Sequence, residues 1–584
     1  MRQQYAWRVR FLTGVFAFMA VSIVVQMIRI QNSAEAAIFR QQASNYAMEL
    51  KTFYPDRGEI YDRNGHLLAG NQTVYEVGVN LKDVKDPHAI AMALSVQLGV
   101  DYAGTLQNIL TPPIENLSYL VVANDVTAEE AAVLQQLKIA MQEQALPGTY
   151  GGLTGLEFTA HPQRDYPEGA LASNILGFVN REGRGYFGIE EKYNDLLAGN
   201  PVQVLVPTDP NRAEEIPNVP NGTNLVLTIN RDLQAALEQI LDEALVQYGA
   251  QGGTIIVMNP RNGEILAMAV TPRMDLNQFW NYGVIYRNAS EFNPAISMPY
   301  EPGSVAKIFT MAAALDTGLV APNTPFFDTG SILVGGATIK NWNEDAWGQQ
   351  DMIGCLQHSL NVCMAWISTQ LGTQNFYGYM NRFGLGRLTN IDLAGEAAGR
   401  LKVPGDEDWY PVDLGTNSFG QGVAITPIQM MAAASAIAND GRMVTPHVLY
   451  SMLREGHRYN VPPQYAGSPI RANTARTLSG MLAVSLEQEA SLALVPGYRV
   501  AGKTGTAQIP TPYGFYDGTQ TNASFIGWGP VDDPQFMIYV WLERPSTSIW
   551  GSETAAPVFS EAAQKTVVLL DIPPDQIRMQ MVTK

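Results

Sequence analysis

Apolar and polar positions change rhythm several times along the chain, and each change predicts a different element. Phe11 to Ile28 is almost wholly apolar over eighteen residues, with Arg2, Arg8 and Arg10 ahead of it. That is close to the length a helix needs to cross a bilayer. A cleaved signal peptide should have a shorter apolar core and then a small-residue cleavage site. Only Ala34-Glu35-Ala36 offers one, so an uncleaved anchor is expected. Its basic N-terminal flank predicts residues 1–10 in the cytoplasm, 11–30 in the membrane and the rest outside. No second span is expected.

Glu35 to Glu49 is helix-like and mixed in polarity, and Asn64-Gly65 between residues of strand character predicts a tight hairpin turn. From Val74 to Tyr193 short strands and helices alternate. Asn200 to Gly222 is rich in Pro and Asn without apolar periodicity, which predicts a linker or extended hairpin beside a domain boundary. Beyond it, Leu225 to Ile229 is strand-like, and Asp232 to Val246 carries apolar residues at helical spacing. Thr254 to Met258 and Glu264 to Val270, joined through Pro260-Arg261-Asn262-Gly263, form a second hairpin signal. Tyr498 to Ala507, Ala523 to Gly529 and Phe536 to Leu542 supply three more strands, and Glu561 to Leu570 a final helix. Five strands drawn from both ends of a mainly helical interval cannot alternate as βαβ units. They predict an α+β class, an antiparallel sheet flanked by helices.

Composition narrows the function. With 584 residues, 46% of them hydrophobic, the chain has material for two or more domains. A net charge of -18 argues against nucleic acid as a partner. Cys355 and Cys363 are too few for a disulfide scaffold, and the six histidines form no metal cluster. On one continuous helix the two cysteine backbones would stand about 12 Å apart, which predicts free thiols. A turn near Asn361 would remove that objection.

Three strings carry the chemistry: Ser304-Val305-Ala306-Lys307, Ser359-Leu360-Asn361 and Lys503-Thr504-Gly505-Thr506. A serine three residues ahead of a lysine on one helical face sets a nucleophile beside a base. Glu301-Pro302-Gly303 just before it predicts that Ser304 lies in the first helical turn, where free N–H groups favour an oxyanion. The apolar run from Lys307 to Leu315 predicts a buried helix, and burial lowers the pKa of an amine. On a strand, Lys503 and Gly505 point one way and Thr504 and Thr506 the other, and Gly505 would let a peptide lie along the strand edge. Each string alone also fits an ordinary helix cap or strand. Their order and separation point to serine acyl transfer.

The chain resembles a class B penicillin-binding protein, a monofunctional peptidoglycan D,D-transpeptidase of division or elongation. Beyond the three strings, the resemblance rests on Arg57-Gly58, Asp62-Arg63-Asn64-Gly65, Tyr166-Pro167-Glu168-Gly169, Leu176-Gly177-Phe178 and Gly188-Ile189-Glu190. It continues through Phe419-Gly420-Gln421-Gly422, Thr426-Pro427-Ile428-Gln429 and Ala555-Ala556-Pro557-Val558-Phe559. The family pattern departs at Asn230 and Ile308, where Asp and Pro are usual. The resemblance implies an elongated pedestal over residues 31–222, a transpeptidase domain over 223–572 with a five-stranded antiparallel sheet, and a tail over 573–584. It implies Ser304 as nucleophile, Lys307 as its base, Ser359 and Lys503 as a proton relay, and Asn361 on the peptide amide. Lys503, Thr504 and Thr506 would bind the terminal carboxylate, with Gly505 in the substrate strand. Expected ligands are stem peptides and β-lactams, with no cofactor. The expected partner is a SEDS-type polytopic glycosyltransferase, met through the membrane helix and pedestal. A β-lactamase, a penicillin sensor and a scaffold that activates a glycan polymerase are the alternatives.

Overall fold

The computed structural model describes residues 6–33, 35, 36, 38, 48–144, 152–207, 219–286, 292–489, 491–510 and 516–582. Contacts divide the chain into two compact units, Met1–Asp56 with Gly199–Asn221 and Arg57–Ala198 with Gly222–Lys584.

In the first unit, the apolar run forms a helix over Ala6–Gln31. Its Trp7–Gln31 stretch has a mean hydropathy of 2.2 and is long enough to cross a membrane. The helix-like reading of 35–49 falls largely outside the described residues, and Met48 and Glu49 instead open a strand. That strand, Met48–Phe53, pairs antiparallel with Val202–Pro207, so part of the expected linker is a strand.

In the second unit, the Asn64-Gly65 turn closes the expected hairpin: Ile60–Tyr61 pairs with the strand Leu67–Asn80, and Gly65 takes a φ of 91°. The fourteen-residue strand carries Tyr119–Thr127 on one edge and Leu156–Asp165 on the other. Pro87–Leu98 and Ala128–Glu143 pack on it around Val77, Val79, Ile90, Leu94 and Leu134. Ile60–Tyr61 also pairs in parallel with Asn224–Leu227, whose other edge pairs with Leu449–Arg454, in the region between the second and third strings. One sheet therefore runs from the pedestal segment into that region.

The five predicted strands are β1 (Gly252–Met258), β2 (Ile265–Val270), β3 (Ala501–Pro510), β4 (Tyr516–Gly529) and β5 (Phe536–Glu543). They form one antiparallel sheet in the order β2-β1-β5-β4-β3. The helices around it are α1 (Arg231–Tyr248), α2 (Lys307–Thr317), α3 (Asn361–Arg382), α4 (Pro427–Ala438), α5 (Ala472–Glu489) and α6 (Ala555–Leu569). Strand alternation divides the core in two. Ile255, Val257, Ile538 and Val540 face α1 and α6, whereas Ile256, Met258, Tyr539 and Trp541 face α2, α3 and α4. Both faces are covered, so the strands read as apolar runs rather than as alternating ones. The expected terminal tail carries a helix, Asp575–Val582, held by Arg578 on Asp532 at 2.6 Å and on Asp575 at 2.9 Å.

Candidate active site

Ser304 lies in a single 3-10 turn, Gly303–Ala306, that runs straight into α2. Lys307 keeps helical angles across the join, φ -57° and ψ -25°, so serine and lysine share one face as their spacing predicts. The turn is locked from two sides. Gly303 has a φ of 58° and donates its N–H to the Gly420 carbonyl at 3.1 Å. A Cβ on Gly303 would stand 2.9 Å from the Thr506 carbonyl oxygen, and one on Gly420 would stand 2.2 Å from that of Gly303. Ser304 stays half-buried while Lys307 is fully buried.

The Lys307 ammonium position is built by the second string. Its Nζ donates to Oδ1 of Asn361 at 2.8 Å, to Oγ of Ser359 at 3.1 Å and to the Ser359 carbonyl. Ser359 can offer both oxygens because it adopts the left-handed region, with a φ of 53°. For a residue with a Cβ that conformation costs about 1–2 kcal/mol, so the surroundings must impose it. Part of the imposition is covalent: Cys355 and Cys363 form a disulfide across this turn, with Cα atoms 6.1 Å apart. This corrects the expectation of free thiols. The chain leaves the helix Met352–Gln357, turns through Ser359 and starts α3 at Asn361, so the straight-helix separation never applies. Asn361 is fixed in turn by donating Nδ2 to the Lys340 carbonyl at 3.2 Å.

The third string lies on β3, an edge strand of the sheet. Lys503 and Gly505 are buried while Thr504 and Thr506 are partly exposed, the alternation the strand predicts. Lys503 Nζ donates to Oγ1 of Thr504 at 3.1 Å, and Thr506 Oγ1 accepts from the Gly551 N–H at 3.0 Å. Gly505 also answers a packing demand. A Cβ there would meet Ser524 Oγ at 2.3 Å and Val305 Cγ2 at 2.6 Å, so the glycine lets the strand close onto the Ser304 turn.

Two buried lysines with no carboxylate bonded to either, among the described residues, set the electrostatics. Burial, and then the Lys503 charge, push Lys307 well below the usual lysine range. Burial brings Lys503 down to about 8, against an opposing pull from Glu489. An amine whose pKa is lowered gives up its own proton more readily and can then take another, and a neighbour that is still cationic can hold an anion. Phe419, from a string read only as family pattern, closes the lysine's pocket with its ring 6.0 Å from Nζ. Gly551, Glu489 and His358 join the site without any signal in the strings. The described residues hold no group of three metal-ligating side chains.

Residues 253–564 match the penicillin binding protein transpeptidase domain, and residues 52–227 match the penicillin-binding protein dimerisation domain. Stage V sporulation protein D of Bacillus subtilis (strain 168) is 32% identical over 537 residues, spanning 89% of this chain and 79% of that protein. Peptidoglycan D,D-transpeptidase FtsI of Escherichia coli (strain K12) is 26% identical over 590 residues, 98% of this chain and 93% of its own. The crystal structure of penicillin binding protein 3 from Mycobacterium tuberculosis, complexed with aztreonam, matches with a TM-score of 0.68 at 26% identity, covering 90% of this chain and 98% of that one. With its three strings gathered around one buried lysine pair, the chain belongs to the class B penicillin-binding proteins, with a dimerisation-type domain ahead of its transpeptidase domain.

Proposed function

We propose that this protein crosslinks peptidoglycan as a serine D,D-transpeptidase and that β-lactams acylate the same serine. The observation that carries the reading is Lys307, fully buried, bonded to Ser359 and Asn361, and held by that burial well below the usual lysine range. In this reading Ser304 Oγ attacks the carbonyl carbon of the penultimate D-Ala of a stem peptide as Lys307 takes its proton. The N–H groups of Ser304 and Thr506 receive the oxyanion. The bond to the terminal D-Ala then breaks, and Ser359 with Lys503 relays a proton to the leaving amine. An amine from a second stem peptide attacks the ester and frees Ser304, so one peptide bond is exchanged for another. Asn361 holds the peptide amide, while Lys503, Thr504 and Thr506 hold the terminal carboxylate. The free edge of β3 suits an extended peptide bound by main-chain hydrogen bonds.

The same reading takes residues 1–10 as cytoplasmic, 11–30 as the membrane anchor, 31–222 as the pedestal and 223–572 as the extracytoplasmic catalytic domain. Its partner is a polytopic SEDS-type glycosyltransferase met through the anchor and pedestal. The exposed apolar face of the N-terminal helix supports membrane insertion. The test is intact-mass measurement after a penicillin: wild type gains one adduct, mapped to Ser304, and Ser304→Ala gains none. An adduct that persists in Ser304→Ala, or steady turnover of the drug by wild type, defeats the reading.

A further inference from the structure

Glu489 is the last residue of α5, where the helix's negative end disfavours a carboxylate, and the last turn of α5 holds no basic residue. A polar neighbour comes from another element. His358 Nδ1 stands 2.8 Å from Glu489 Oε2. His358 immediately precedes Ser359, its ring stacks on Trp347 at a centroid distance of 4.0 Å, and its carbonyl accepts from the Trp342 indole at 3.2 Å. The residue that leads into the left-handed serine is therefore held at its ring and at its carbonyl. The neighbouring acid on α5, Glu487, is taken by Arg499 at 2.7 Å, which leaves Glu489 facing His358. Helix α5 also packs on β3, the strand of Lys503.

We propose that Glu489 is a positioning residue coupling the two halves of the active site: it fixes the Ser359 turn through His358 and sets a negative charge within reach of the Lys503 strand. The inference rests on the transpeptidase reading. A carboxylate there favours the ammonium form of Lys503, and it opposes the burial that lowers that group to about 8. Lys503 feels the Glu489 carboxylate, and its own charge in turn lowers Lys307; the titratable side chain against Glu489 is His358. Removing the carboxylate should therefore loosen the serine turn and let Lys503 lose its proton at lower pH.

The experiment measures the second-order rate of acylation by a fluorescent penicillin against pH, on the full chain in detergent, for wild type, Glu489→Gln, Glu489→Asp, His358→Gln and Ser304→Ala. Glu489→Gln is expected to slow acylation about fivefold to twentyfold at neutral pH and to move the basic limb down by about half a pH unit. Glu489→Asp recovers the limb, and His358→Gln slows acylation without lowering the limb, because the carboxylate remains. Higher salt shrinks the shift in Glu489→Gln, since the charge is partly exposed. A Glu489→Gln protein within twofold of wild type at every pH overturns the inference. So does one that slows with an unmoved limb and a lowered melting temperature, which marks a structural role only. If Ser304→Ala is itself acylated, the transpeptidase reading fails instead.

Discussion

Among the described residues, two clusters of buried ionisable side chains are built on opposite principles. In the pedestal segment Glu190 is fully buried and closed by Arg57 at 2.6 Å and Arg164 at 2.7 Å, with the Tyr166 hydroxyl beside it. In the catalytic region Lys307 and Lys503 are as deeply buried, and their bonds go to hydroxyl, amide and carbonyl oxygens. A paired buried charge is held in its ionised form and locks geometry. An unpaired one moves its pKa instead, and a moved pKa is what proton transfer needs. The first cluster joins segments of the chain more than a hundred residues apart, and the second leaves its cost uncompensated so that the site can react.

The sharpest break between the two comes from removing one charge in each. Lys307→Met should lower acylation by a penicillin about a thousandfold or more, because the base is gone. Its melting temperature should hold or rise, since a polar amine that is costly to bury is removed along with it. Glu190→Gln should do the reverse. Leaving two guanidiniums without their carboxylate costs about 3–5 kcal/mol of stability, while acylation per folded molecule stays unchanged. Denaturation midpoints and adduct kinetics on the same samples decide it. A Lys307→Met protein that unfolds early, or a Glu190→Gln protein that folds normally and acylates slowly, would erase the distinction.

A smaller effect tests whether the catalytic cluster is preorganised by its covalent clamp. Cys355→Ala with Cys363→Ala removes a short closed loop worth about 2–3 kcal/mol. It also frees the turn that holds Ser359 left-handed, so acylation should fall, though by less than in Lys307→Met. Equal rates before and after would show that packing alone holds the turn.

Much of this architecture is legible in the sequence. The five-stranded sheet follows from an Asn-Gly turn between two apolar runs and three later strands, because both signals are local. The site strings are legible because serine and lysine share a helical face and lysine alternates with threonine on a strand. What stays hidden depends on contacts between distant segments. The Cys355–Cys363 bridge needs a turn that no residue in the string announces, and Ser359 adopts a conformation normally left to glycine. Gly505 was readable as a required glycine, yet the side chain it makes room for, Val305, lies two hundred positions away. Glu489 reads as an ordinary helix end until His358 is folded against it.

The smallest and most specific test separates the two lysines from each other. Acylation should rise with pH as Lys307 loses its proton, since only the neutral amine can act as base. It should fall again as pH passes about 8, where Lys503 loses the charge that holds the ligand's carboxylate. Arginine in place of Lys503 keeps its charge throughout this range. Lys503→Arg should therefore retain the acid limb and lose the basic one. At neutral pH it should acylate more slowly, because a planar fork replaces a compact ammonium and an arginine cannot pass on the proton that the leaving amine needs. A pH–rate profile of the two proteins reads this directly. Were the basic limb to survive in Lys503→Arg, the falling rate would belong to another group, and the division of labour between an uncharged base and a charged anchor would be lost with it.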